Sequence, residues 1–352
     1  GIVVHWATDF GVGNPSVTNL SKHPHNITIE RCKVEALSYA NTEGIYISGA
    51  YATTVSDCTV DQALFGLSWV AGDYGFKYSG FTNATTLNGV TFNNCLVKKA
   101  TGHGIVALGG IELFTEVSEN FVTFNDCNIT GPNTGAALSG SDINGVLIEQ
   151  ARHIEFKNLV VKGFQYGTWF RTNVQNIKFT GGVIADNRIN GARIYRSDTK
   201  HITFDGVSFE RNGWGATGAA YGLAVTDGEN TVIRNCSFGD TIIQDTVQEI
   251  STVILQPAVR TTLINNHTAS VKSGGTYAFN TGYAAHTNHL WLVSGNTVGQ
   301  AGLTIYLVLL TYLLLREVEQ SVSGVERLLL LLAITKPAIS WLLRILNMDL
   351  AL

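Results

Sequence analysis

Several things are scarce in this chain, and each scarcity excludes something. Only 5 of 352 residues are proline, against 37 glycines, and 14% are charged. With Asn, Thr, Ser and Gly spread through residues 1–300, that profile suits an all-β protein with many tight turns. The net charge of -4 and pI near 6.1 give no electrostatic case for nucleic acid as a partner. No helical period runs through residues 1–300, no phosphate-binding loop is present, and no CxxC pair or credible zinc set occurs. Neither metal nor cofactor is expected. A Ser/His/Asp triad cannot be argued from residues that share no spacing. No signal peptide is visible, and Gly1-Ile2-Val3-Val4 reads as the middle of a repeat, so the sequence is expected to be a piece of a longer protein.

Cysteine is present in an odd number, five, so complete pairing within the chain is impossible. The thiols share one setting: Glu30-Arg31-Cys32, Ser56-Asp57-Cys58, Asn93-Asn94-Cys95, Asn125-Asp126-Cys127 and Arg234-Asn235-Cys236. Leu159, Gly182 and Val207 fill the same place elsewhere. Three residues upstream stand Ile29, Val55, Phe92, Phe124, Phe156, Phe179, Phe204 and Ile233. Two residues downstream stand Val34, Val60, Val97, Ile129, Val161, Ile184, Phe209 and Phe238. Every member of both columns is apolar. The repeat length is roughly 22 to 32 residues, the mark of a solenoid. A stacked thiol column is the first expectation for the cysteines; a disulfide and a metal site are the alternatives.

Before each Cys-column residue stands Arg31, Asp57, Asn94, Asp126, Asn158, Gly181, Gly206 or Asn235. Asn, Asp and Gly tolerate left-handed backbone, so this position predicts a sharp bend between two strands. A third strand opens at Gly44, Gly66, Gly104, Gly145, Gly167, Gly191 and Gly222. One coil is then strand, bend, strand, loop, strand, loop. Nine to ten coils spaced about 4.8 Å apart make a rod of roughly 45 Å. Loop length varies most at 71–87, 109–120, 130–144 and 211–221.

These aligned columns resemble the right-handed parallel β-helix of the pectin-lyase-like superfamily. The runs His23-Pro24-His25-Asn26-Ile27, Gly44-Ile45-Tyr46-Ile47-Ser48 and Ala71-Gly72-Asp73-Tyr74-Gly75 resemble phage tailspikes and receptor-binding fibres. The resemblance implies a homotrimer, on a phage tail or extracellular, acting on bacterial surface polysaccharide. It is specific for fold and weak for chemistry. Gly102-His103-Gly104 and Thr226-Asp227-Gly228 are similar to pieces of the polygalacturonase signature, but in reversed order and without the paired Asp motif. The Arg-rich motif of pectate lyases is missing. His103 occupies a variable turn position and reads as structural.

Candidate chemistry falls on the outward residues of the Gly-led strand, the second and fourth after Gly. In three coils these are Leu147 and Glu149, Trp169 and Arg171, Arg193 and Tyr195. Trp169, Arg171, Arg193 and Tyr195 suit a sugar: aromatic faces meet its apolar side and guanidinium forks meet its carboxylates or hydroxyls. The bland alternative is a solvated face with cross-strand Glu–Arg pairing. Hydrolysis usually needs two carboxyl groups, and β-elimination a base beside a neutralised uronate. Glu149, with Arg171 as expected neighbour, is the first catalytic candidate, and Asp186 the second. Asp186 and Asp73 also read as turn residues, and Glu112 and Glu116 as solubilising residues of an insertion. A non-catalytic fibre using the rod as a spacer is the competing function; a secreted lyase or epimerase is the third.

From Leu303 to Leu352 the pattern breaks, with 17 Leu and almost no Asn or Gly. The rod is therefore expected over 1–302 and a separate Leu-rich tail over 303–352. The run Leu303–Leu315 is too short to span a bilayer, and Leu328–Leu346 is interrupted by Lys336, Pro337 and Arg344. An apolar helical cap, a membrane hairpin and an extension foreign to the rod are the three readings, and a membrane partner is not the favoured one. Deleting 303–352 separates them. A foreign extension leaves the thermal midpoint unchanged and raises soluble yield, a cap lowers the midpoint, and a hairpin abolishes partitioning into detergent.

Overall fold

The computed structural model describes residues 1–5, 24–35, 43–70, 89–109, 121–132, 143–213, 221–239, 251–255, 260–268, 277–280 and 292–298. Its strands form three parallel sheets of ten strands each. Each sheet takes every third strand of the chain, so the backbone winds as a right-handed parallel β-helix, the hand that parallel crossovers adopt. We name the sheets by one coil: A holds Asn144–Glu149, B holds Arg152–Lys157 and C holds Val160–Lys162. The chain divides into two units, Gly1–Thr297 and Val298–Leu352. The coils belong to the first; the Leu-rich tail, with Asp73, Glu112 and Glu116, lies outside the described residues.

The columns read from the sequence are the registers of the ladders. In sheet B, Phe92, Phe124, Phe156, Phe179 and Phe204 pair in order. Their rings stack with centroids 4.6, 5.1, 4.4 and 5.0 Å apart, and all are 0–1% exposed. That spacing is the distance between hydrogen-bonded strands, so the backbone ladder sets the ring stack. Sheet C aligns Val34, Val60, Val97, Ile129, Val161, Ile184, Phe209 and Phe238 opposite it.

The bend between B and C is left-handed in all ten coils. Arg31, Asp57, Asn94, Asp126, Asn158, Gly181, Gly206, Asn235, Asn265 and Gly295 have φ between 48° and 69°. The five cysteines follow these bends as free thiols, four of them buried. Each buried thiol donates to the carbonyl two residues back, as Cys58 does to Ser56 at 3.1 Å, and to a carbonyl of the preceding coil, as Cys127 does to Phe92 at 3.7 Å. Burial pushes the Cys236 thiol up to about 12. In the last two coils the column turns to amide: Asn266 Nδ2 donates to Asn296 Oδ1 at 2.9 Å, and Asn296 Nδ2 to the Leu263 carbonyl.

Glycine is the second residue of the central sheet A strands for a steric reason. A Cβ on Gly145 would lie 2.1 Å from Val161 Cγ1, and one on Gly167 2.4 Å from Ile184 Cγ2. The strand enters the core so closely that only hydrogen fits. Beyond each glycine, Val146 and Ile148, Thr168 and Phe170, and Ala192 and Ile194 fill the interior with no exposure.

Placing a β-branched residue in the left-handed bend tests this account. Asn158→Val should cost about 1–2 kcal/mol and lower the thermal midpoint by a few degrees. Asn158→Gly should cost less than about 1 kcal/mol.

Candidate functional site

The outer face of sheet A carries the candidate residues on three adjacent strands, Asn144–Glu149, Tyr166–Phe170 and Asn190–Ile194. Register places Leu147, Trp169 and Arg193 in one row and Asn144, Tyr166 and Asn190 in another. Arg171 and Tyr195 follow directly on the ends of the second and third strands.

Trp169, Arg193 and Tyr195 come together, and Tyr166, which sequence reasoning left out, joins them. The Trp169 ring meets Tyr166 edge-on at 4.6 Å and Tyr195 at 5.7 Å. The Arg193 guanidinium carbon lies 5.9, 5.7 and 4.8 Å from the ring centroids of Tyr166, Trp169 and Tyr195, and Arg196 adds a second cation 5.0 Å from Tyr195. These are cation–π distances. The sequence suggested an open, flat face, yet Trp169 is only 7% exposed and Leu147 5%. The tyrosines and the Arg193 side chain fold over the indole, because long amphipathic side chains cover apolar surface while keeping their polar ends in water. The indole Nε1 is buried there and has no hydrogen-bond partner.

Glu149 and Arg171 meet as the register dictates, Arg171 Nη1 donating to Glu149 Oε2 at 3.2 Å. With side chains 28% and 46% exposed, this pair contributes little to stability but fixes a carboxylate and a guanidinium at the edge of the aromatic cluster.

Asp186 is not brought to Glu149. It sits at a second left-handed bend, after the sheet C strand Val183–Ala185, with φ 54°. Gln62, Lys99, Gly163 and Arg211 hold the same bend in other coils, with φ of 60°, 52°, 77° and 46°. Arg211 of the next coil grips the Asp186 carboxylate with Nε at 2.6 Å and Nη2 at 2.8 Å. This bend leads into the start of the sheet A strand whereas Glu149 lies at its end, a separation of roughly 16 Å at about 3.3 Å per residue. That exceeds the spacing of about 5 to 9.5 Å between glycosidase carboxyl groups. Asp198 is a further carboxyl group at this end of the strands. Its neighbour Thr199 donates from Oγ1 to the Arg171 carbonyl at 3.4 Å, and Asp198 Oδ1 is buried with no partner. Asp198 lies in the turn that precedes Thr199, two coils on from Glu149. No repeat column contains it, so no sequence pattern marks it.

His103 is the second residue whose setting the sequence did not reveal. It stands in the row of Asn144 and Tyr166, stacked on Phe65 at 5.4 Å. The Asn144 backbone N–H donates to His103 Nδ1 at 3.2 Å. Nδ1 is therefore an acceptor, and the proton sits on Nε2. Burial first, and then the Arg171 charge, push His103 down to about 4. The imidazole is neutral near pH 7 and presents a donor at Nε2. Among the described residues no three His, Cys, Asp or Glu side chains gather as a metal site, and no helix is long and apolar enough to cross a membrane.

No protein-family model matches the chain, and no curated protein matches it. Similar solved structures include pectate lyase Pel9A, at 16% identity and TM-score 0.49, covering 78% of this chain and 68% of that one. The Azotobacter vinelandii mannuronan C-5 epimerase A-module gives 12% identity and TM-score 0.43, covering 79% and 84%. The enzymatically active domain of tailspike protein 2 of bacteriophage CBA120 gives 13% and 0.41, covering 77% of this chain. The chain spans 34% of that tailspike's length.

The low proton affinity of His103 makes stability depend on pH. Its pKa falls from 6.5 to about 4 on folding. The stabilisation is complete above pH 6.5 and is lost as pH drops through 6.5 toward 4. The loss is at most about 3 kcal/mol, less what solvent screening removes. His103→Gln should flatten this part of the stability–pH profile in denaturant melts. Equal slopes for both proteins would contradict the burial of a neutral imidazole.

Proposed function

We propose that this β-helix binds a bacterial surface polysaccharide on the outer face of sheet A, over Glu149, Tyr166, Trp169, Arg171, Arg193 and Tyr195. The observation that carries the reading is the aromatic–guanidinium cluster, which among the described residues is confined to adjacent coils. Aromatic rings offer the apolar face of a pyranose a platform, and guanidinium forks take its polar substituents. The resemblance of the repeat to phage-tail β-helices supports a homotrimer at a phage tail or another extracellular place. Ultracentrifugation of the full chain tests the trimer.

Depolymerisation is the second reading, favoured by the carboxylate of Glu149 held beside Arg171. In this reading Glu149 acts as one carboxyl group, by hydrolysis or β-elimination. The partner is Asp198, whose Oδ1 is buried without a hydrogen-bond partner, or Asp186, which Arg211 holds in an ion pair. A purely structural fibre is the remaining alternative.

Binding to a panel of purified capsular and lipopolysaccharide O-chains tests the main reading. Arg171→Ala and Tyr195→Ala should each weaken the bound member at least about tenfold, and unchanged affinity in both would sink it. Clearing halos on bacterial lawns test the second reading. If halos form, Glu149→Gln should abolish them and Asp198→Asn should reduce them more than Asp186→Asn; persistence in Glu149→Gln removes Glu149 from the chemistry.

A further inference from the structure

Resting on the glycan-binding reading, we infer that the bound polysaccharide carries a carboxylate and that Arg193 is the residue that selects it. The face holds three guanidinium groups, Arg171, Arg193 and Arg196, against two carboxylates, Glu149 and Asp198, on a chain whose formal net charge is -4. Arg171 is already neutralised by Glu149. Among the described residues Arg193 and Arg196 have no carboxylate partner; their contacts are the faces of Tyr166, Trp169 and Tyr195. These ring contacts put no carboxylate on the N–H donors, and the planar donors of a guanidinium match the two oxygens of a carboxylate. The aromatic cage thus presents a fork whose counter-anion is not supplied by the protein's described residues.

The second observation is the buried indole N–H of Trp169, which has no acceptor although the residue is only 7% exposed. A buried donor without a partner is costly. Arg193 lies over this indole, so the group that receives the acid also covers the platform beneath. A sugar acid bound by the Arg193 fork places its ring oxygens beside the indole donor and its apolar face on the Tyr195 ring. A neutral sugar must compete with Arg193 for the same aromatic surface and brings no anion in return. Arg193 therefore works as a specificity-determining residue.

The test uses the full chain and matched probes: acidic bacterial polysaccharides, each with its carboxyl-reduced neutral form, titrated by calorimetry. The expected result is that the acidic form binds at least about tenfold tighter. That preference disappears in Arg193→Ala, the acidic form losing more affinity than the neutral one. Arg193→Lys, which keeps the charge and loses the fork, should recover only part of it, with circular dichroism melts confirming that the variants fold. Equal binding of acidic and reduced forms by the native chain overturns the inference and leaves the glycan reading standing. This is also the result expected if the anion recognised is a phosphate or sulfate. A preference unchanged in Arg193→Ala removes Arg193 as the selector. Failure to bind any polysaccharide overturns the glycan reading and the inference together.

Discussion

Every feature of this protein depends on the parallel, in-register hydrogen-bond ladder between successive coils. The ladder fixes the spacing between coils and forces each side chain onto its counterpart in the next one. Inside, the register stacks Phe on Phe from Phe92 to Phe204, where rings meet at the distance the backbone imposes. At the bends it stacks residues that accept a positive φ. Outside, it sets Arg171 beside Glu149 and Arg193 beside Trp169. An interior that must repeat leaves function to the outer positions, which pack against no core and vary from coil to coil.

The interior constraint is why most of the fold is legible in sequence. Cys32, Cys58, Cys95, Cys127 and Cys236 mark one position because a small buried side chain is needed just after each left-handed bend. The Gly-led strand is visible because a Cβ there would collide with the sheet C residue across the core, as Gly145 would with Val161. The second bend, at Gln62, Lys99, Asp186 and Arg211, has no sequence signature because its residues share a backbone conformation and not a side-chain type.

The candidate site was legible only in part, for the same physical reason. Alternation identified Trp169, Arg193 and Tyr195 as outward residues, and register brought them together. It could not reveal that Trp169 is roofed over, since side-chain length and rotamer decide that and not strand period. Tyr166 and His103 precede the glycine, out of step with the outward residues that follow it, so period-two counting does not reach them. Asp198 lies in a loop outside every column. The features missed are those set by side-chain packing and turn geometry.

The central claim is that binding is concentrated where the outer face of sheet A departs from repetition. Its most direct test is a structure of the full chain with an oligosaccharide cut from the polysaccharide it binds best. The account predicts a sugar ring against Tyr195 and Trp169, with Arg193 turned from the indole toward the ligand. An oligosaccharide lodged on sheet B or C, with the Tyr166–Trp169–Arg193–Tyr195 cluster undisturbed, would contradict it.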